Sequence, residues 1–220
     1  MHYLLQPYNY DLTDPESIPN LIWGHIQLVG ISMLISMIIA IPLGILVARY
    51  RRLYLPVITF TSLLYTIPGI ALLGILITIP GLGLSFATAI IPLILYAQLV
   101  LVRNTVTGIN GIDPLMIEVG EAMGMNSRQL FLRVTLPLAL PVIIAGIRVA
   151  TVTTIGIASL ASLVGEGGLG DLIFKNITTN DTDAVVAGAI LIALFAIVAD
   201  LLLLLVQIAL NRGRGRLSVA

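Results

Sequence analysis

Side chains able to do covalent or metal chemistry are few in this 220-residue chain. It holds no Cys, which excludes a disulfide, a thiolate nucleophile and a Cys-based metal site, and His2 and His25 are its only imidazoles. His25 with Ser32 or Ser36 has the residue types of a hydrolase pair, but no glycine-flanked nucleophile motif accompanies them. His25 lies near one end of an apolar run and reads as an interfacial histidine. No GxxxxGK[ST] occurs, so nothing here holds ATP through a P-loop. Gly165, Gly167 and Gly170 spell GxGxxG without any βαβ pattern around them, and the dinucleotide reading fails. What remains is the chemistry of recognition. A polar, charged stretch from Glu118 to Pro137 interrupts the apolar runs. It reads Glu118-Val119-Gly120, three residues, Gly124, nine residues, then Val134-Thr135-Leu136-Pro137.

A short helix must position the first half of that stretch. Asp113-Pro114 is a good start, since Asp caps free N–H groups and Pro suits the first helical position. Leu115, Val119 and Met123 then repeat at i, i+4, i+8 with Met116 beside them, while Glu118 and Glu121 share another face. A helix of about ten residues is marginal alone in water, so it is expected to dock onto something. Gly124 turns the chain, Asn126 or Ser127 caps a second helix carrying Arg128 and Arg133, and Pro137 marks the start of the next apolar run.

The remainder is membrane. Hydrophobic residues make up 58% and charged residues 10%, against about 25% charged in a soluble domain. A hydrocarbon core of roughly 30 Å needs about 20 apolar residues. Five stretches qualify, at about 21–48, 55–79, 85–102, 136–164 and 184–210. Pro42, Pro68, Pro92 and Pro141 fall in or near them, which in lipid requires a packed bundle. The acidic start (Asp11, Asp14, Glu16) precedes an apolar run too long for a signal peptide, so the first run is expected to stay as an anchor. Arg49, Arg51 and Arg52 follow span one, Arg103, Arg128 and Arg133 follow span three, and Arg212, Arg214 and Arg216 follow span five. The rule that cytoplasmic loops are basic then gives an all-α integral membrane fold with five spans, N-out and C-in. The expected divisions are an extracytoplasmic tail at 1–20, a transmembrane domain at 21–210 and a cytoplasmic basic tail at 211–220. Within the domain, a cytoplasmic loop lies at about 104–135 and an outer glycine-rich segment at about 165–183. Two charges, Arg148 and Asp200, reach roughly 17 Å deep at about 1.5 Å per residue and are expected to pair.

The Glu118–Pro137 layout resembles the coupling loop of bacterial ABC-importer permeases: Glu-Ala-Ala, three residues, Gly, nine residues, Ile, one residue, Leu-Pro. In that family the loop forms a short helix seated in a groove of a separate ATPase. Carried over, Glu118, Val119, Gly120, Ala122 and Gly124 with Leu136 and Pro137 form the coupling element. Val119 and Gly120 stand where two alanines are common, and Gly120 should loosen the helix by up to about 1 kcal/mol relative to Ala.

Further stretches resemble the branch that imports glycine betaine, carnitine and choline. They are Tyr65-Thr66-Ile67-Pro68-Gly69, Arg103-Asn104-Thr105, Gly146-Ile147-Arg148 and Gly165-Glu166-Gly167-Gly168-Leu169-Gly170-Asp171. The resemblance implies a multi-pass permease of a prokaryotic cell membrane that is not itself an enzyme. ATP and its magnesium would sit on two cytoplasmic ATPase subunits, with no cofactor on this chain. A second permease chain, identical or a sister, would complete the path through the lipid, since no internal repeat divides this one. A separate extracytoplasmic solute-binding protein would dock outside, where Glu166, Asp171 and Lys175 are candidates. Thr66 and Pro68 are candidates for the path. Aromatic residues in or near spans (Phe60, Tyr65, Phe86, Tyr96) read as packing, and Trp23 and Tyr54 as interfacial anchors. Methionine permeases share the loop and a similar glycine-rich segment, and a permease for methionine or another small solute is the nearest alternative. A self-contained secondary transporter lacks its inverted repeats here, and zero net charge points to no nucleic-acid partner.

Overall fold

The computed structural model describes residues 3–211, which are helical throughout apart from short connections, with no strand among them. Nine α-helices are formed: α1 Ile18–Arg49, α2 Tyr54–Thr66, α3 Gly69–Ile77, α4 Phe86–Asn110, α5 Pro114–Ala122, α6 Ser127–Leu130, α7 Leu136–Ala158, α8 Gly170–Thr179 and α9 Thr182–Asn211. Four continuous helical stretches are long and apolar enough to cross a membrane: 18–49, 86–110, 127–164 and 182–210. Residues 212–220 of the basic tail, with Arg212, Arg214 and Arg216, lie outside the described residues, as does His2.

The core forms where α1, α4 and α7 meet, with Ala40, Val102, Ala150, Ile155 and Ala158 all essentially inaccessible. Lipid supplies no hydrophobic drive between helices, so close backbone approach must come from small residues. Gly44 on α1 lies so near Thr105 on α4 that a Cβ there would stand 2.6 Å from the threonine Cβ. A Cβ on Gly146 of α7 would run into Asn104 of α4. Two stretches picked out in the sequence, Arg103-Asn104-Thr105 and Gly146-Ile147-Arg148, are therefore the two sides of one helix contact. Helix α9 packs along α7 and α8 and leaves most of its length exposed.

Several expectations need correction. The run at 55–79 is no straight span: α2 and α3 meet at 86° across Ile67 and Pro68. A proline frees the carbonyl four residues back and disfavours helical geometry in the residue before it. Pro42, Pro92 and Pro141 sit inside continuous helices, but at Pro68 both Ile67 and Pro68 are extended (ψ 126° and 135°). Span three does not stop near Val102 but runs to Asn110, leaving only Gly111–Asp113 before α5. Span four starts earlier than Leu136, because α6 and a π-helical turn at Phe131–Thr135 lead directly into α7. His25 does not face lipid or water. It is fully buried, its Nε2 lies 3.0 Å from the Ile155 carbonyl, and its ring packs edge-on against Phe195.

Candidate functional site

The helix bundle sorts the polar residues into two ends. One end carries α5, α6 and the last turns of α1 and α4. The other carries the N-terminal segment, the glycine-rich turn and α8.

At the α5 end, Asp113 caps its helix by accepting from the Leu115 N–H at 2.9 Å, with Pro114 at the first position. Gly124 turns the chain at φ +77°, a conformation that other residues adopt at a cost. Asn126 and Gln129 then form a reciprocal capping box, both bonds at 3.0 Å. Gly120 is the one buried residue of α5. A Cβ there would meet Leu130 Cδ1 at 2.5 Å, so the glycine that weakens the helix lets it lie down on the next one. The apolar stripe finds no cover among the described residues. Leu115 is 55% exposed, Val119 47% and Met123 71%, with Met116, Glu118 and Ala122 exposed beside them. Leu136 and Pro137 are half-buried at the start of α7.

In the membrane-spanning region, Arg148 and Asp200 meet as a fork. Arg148 Nε and Nη2 donate to Asp200 Oδ1 and Oδ2, each at 2.9 Å. Two parallel bonds of this kind fix orientation as well as charge. Arg148 Nη1 also donates to Gln207 Oε1 at 2.9 Å, and Gln207 Nε2 donates to the Pro141 carbonyl at 3.1 Å. Gln207, two turns beyond Asp200, was not singled out from the sequence. The signal was present, since a glutamine in a helix of near-pure Leu, Ile, Val and Ala is as conspicuous as a charge. The side chains remain 22% and 35% exposed, so the fork lies at the edge of this chain rather than at its centre.

The break at Ile67–Pro68 opens a cavity of about 270 Å³ lined by Tyr65, Thr66, Pro68, Gly69, Tyr96 and Leu160 among others. Tyr96 on α4 donates its hydroxyl to the Ile67 carbonyl at 2.7 Å, holding the bend in place. The Tyr65 and Tyr96 rings meet edge to face, centroids 5.7 Å apart. Thr66 turns its hydroxyl back to the Leu63 carbonyl at 2.7 Å.

At the α8 end, the glycine-rich turn tucks inward. Gly165, Gly167 and Gly168 all have positive φ, Gly168 lies against the His25 ring, and Gly170 sits directly on the Ser159 carbonyl. Asp171 is not exposed as expected: it is 7% accessible. Its Oδ2 accepts from Lys175 Nζ at 2.7 Å, and the same ammonium reaches Glu16 Oε1 at 2.9 Å. Bonds to these two carboxylates hold the Lys175 ammonium above the usual lysine range, Asp171 contributing more. Lys175 thus straps the turn to the N-terminal segment. That segment is itself folded, with Asn9 donating to the Tyr3 carbonyl and Tyr3 and Leu4 packed beside Leu169 and Leu172. Glu166 is half-exposed.

Comparison with known proteins places this geometry. Residues 40–212 match the family described as "Binding-protein-dependent transport system inner membrane component". The chain belongs to that family. It is accordingly a multi-pass membrane protein and a transport-system component, not an enzyme in its own right. The chain is 42% identical over 217 residues to the carnitine transport permease protein OpuCD of Listeria monocytogenes, covering 98% of this chain and 96% of the relative. It is 45% identical over 202 residues to the glycine betaine/carnitine/choline transport system permease protein OpuCD of Bacillus subtilis (strain 168), covering 90% and 87%. With the choline transport system permease protein OpuBD of the same strain it shares 40% over 188 residues, covering 85% and 82%. Among solved structures, an inward-facing conformation of the MetNI methionine ABC transporter superposes with TM-score 0.78 at 23% identity, over 88% of this chain and 95% of that one. At that identity the likeness is one of fold.

Proposed function

We propose that this chain is the membrane-spanning permease of an ATP-driven importer for compatible solutes of the glycine betaine, carnitine and choline type. The observation that carries the substrate class is identity of 40–45% over most of its length to permeases named for those solutes. The methionine alternative is weaker, since it rests on a fold shared at 23% identity.

The coupling reading rests on α5. An apolar stripe of Leu115, Met116, Val119 and Met123, flanked by Glu118 and left uncovered, suits a helix that seats in a groove of another protein. The occupant in this reading is a cytoplasmic ATPase, one per permease, which holds the ATP and magnesium. Gly120 and Leu130 join α5 to α6, and the π-helical turn joins α6 to α7 through Leu136 and Pro137, so movement of α5 has a rigid path into a span. The ATPase drives the switch because it makes different contacts in the two states. Orientation follows from charge: Arg49, Arg51, Arg52, Arg103, Arg128 and Arg133 belong with the α5 end, which makes that end cytoplasmic and the N-terminus external.

A second permease chain, identical or a sister, completes the path. The exposed length of α9 and the fork of Arg148 and Asp200 at this chain's edge favour such cover, because partly bare charges in hydrocarbon are costly. The fork fastens α7 to α9. A solute-binding protein docks at the α8 end, where Glu166 and Lys175 remain available and Asp171 is withdrawn. Thr66 and Pro68 belong to the path.

The test is ATP-dependent uptake of labelled glycine betaine, carnitine and choline into vesicles holding this chain, its ATPase and its receptor, beside Glu118→Lys. Uptake by the wild type and loss in the mutant, with the complex still folded, supports the reading. No uptake of any of the three, with the ATPase bound, removes the substrate class.

A further inference from the structure

We infer that the cavity at the α2–α3 break is a waypoint for a quaternary ammonium group, built from the rings of Tyr65 and Tyr96 and the carbonyls that the break releases. This rests on the substrate class proposed above and adds a place for it within the permease.

Three observations meet at this point. First, the backbone is open. Residues 67 and 68 are extended and the Ile67 N–H turns back to the Leu64 carbonyl at 3.3 Å, so the Tyr65 and Thr66 carbonyls lose the amide partners that a continuous helix would give them. Irregular backbone at membrane depth is tolerated where it lines a cavity, and these two residues line this one. Tyr96 lies within a turn of the midpoint of α4, which sets the cavity near mid-span. Second, the walls are aromatic. Tyr65 is 41% exposed and its ring is fixed edge to face with the buried Tyr96, and Tyr96 is in turn fixed by its bond to Ile67. Third, no charged side chain among the described residues lines the cavity.

The absence of formal charge selects the ligand. A metal ion or primary ammonium entering here would give up a tight water shell for neutral groups, at a large cost. A quaternary ammonium donates no hydrogen bond and spreads its charge over methyl groups. Aromatic faces attract it, and carbonyl dipoles add to that attraction. With no full counter-charge, binding is weak enough to release, as a path requires.

The test uses the complete transporter in nanodiscs and vesicles, with Tyr65→Leu and Tyr65→Phe beside wild type. Glycine betaine taken up per ATP hydrolysed, at saturating receptor, should fall by about three- to tenfold in Tyr65→Leu. Tyr65→Phe should keep the wild-type ratio, and ATPase rate and receptor affinity should be unchanged in both. Saturation-transfer NMR on the receptor-free wild-type complex should show contact between the N-methyl protons of glycine betaine and the protein. That signal should persist in Tyr65→Phe and vanish in Tyr65→Leu. Wild-type transport with no methyl contact, or an unchanged ratio in Tyr65→Leu, overturns the waypoint while leaving the substrate class standing. A wild type that moves none of the three quaternary amines overturns the substrate class itself.

Discussion

The two ends of this molecule are built on opposite plans. At the α8 end, polar and apolar groups alike turn inward: Gly170 sits on the Ser159 carbonyl, Asp171 is buried against Lys175, and the N-terminal segment folds back over Leu169 and Leu172. At the α5 end, one helix buries a single glycine and holds its apolar stripe out. The buried contacts of the α8 end belong to the fold, whereas the uncovered stripe of α5 is the kind of surface that a partner covers. Substitutions at the first should cost stability, and substitutions at the second should cost activity alone.

The largest effect should come from the α5 end. Val119→Asp puts a charge in the middle of the exposed stripe, and ATP-driven uptake should drop at least about thirtyfold, as for a contact at the centre of an interface. The thermal midpoint of the isolated permease should stay within experimental error; a large drop would mean that α5 belongs to the fold after all. Gly170→Ala should do the reverse, driving a Cβ into backbone that has no flexible end to yield. It should destabilise the permease by about 1–3 kcal/mol, read by thermal unfolding in detergent. The fork that fastens α7 to α9 comes next. Arg148→Gln and Asp200→Asn should each lower the folded yield more than the double variant does, because each alone strands one partner. A double variant worse than both singles would contradict the pairing.

The smallest effect should be at the outer bond of the strap. Glu16→Gln should cost less than about 1 kcal/mol, since the Lys175–Glu16 pair faces water. The Lys175 ammonium is held above its usual range, so its contribution is full at neutral pH and is lost as pH rises past that range. The stability gap between wild type and variant should close at strongly alkaline pH.

How far these features were legible depends on what kind of physics wrote them. Apolar runs are a one-dimensional signal, and the spans read from them differ from the helices mostly at their ends. The α5 stripe was legible for the same reason, since i, i+4, i+8 spacing needs no knowledge of the partner. The bend at Pro68 was not, because Pro42, Pro92 and Pro141 are the same residue type in intact helices. What differs at Pro68 is tertiary: Tyr96 reaches across from α4 to take up the Ile67 carbonyl. Asp171 misled because a carboxylate in a glycine-rich connection normally faces water, and only the fold reveals Lys175 and Glu16 around it. His25 misled in the same way, its partner Ile155 being far away in the chain. Gly120 looked like a weakness of helix propensity until Leu130 was seen to occupy the space.

Because the chain has no native cysteine, one measurement tests the central contrast directly. Met123→Cys puts a lone thiol on the most exposed residue of the α5 stripe, to be labelled with a polar maleimide in nanodiscs with and without the ATPase subunits. The account predicts rapid labelling of the permease alone and protection of at least about tenfold when the ATPase is bound. Equal labelling in both, with the ATPase demonstrably in the complex, would contradict it.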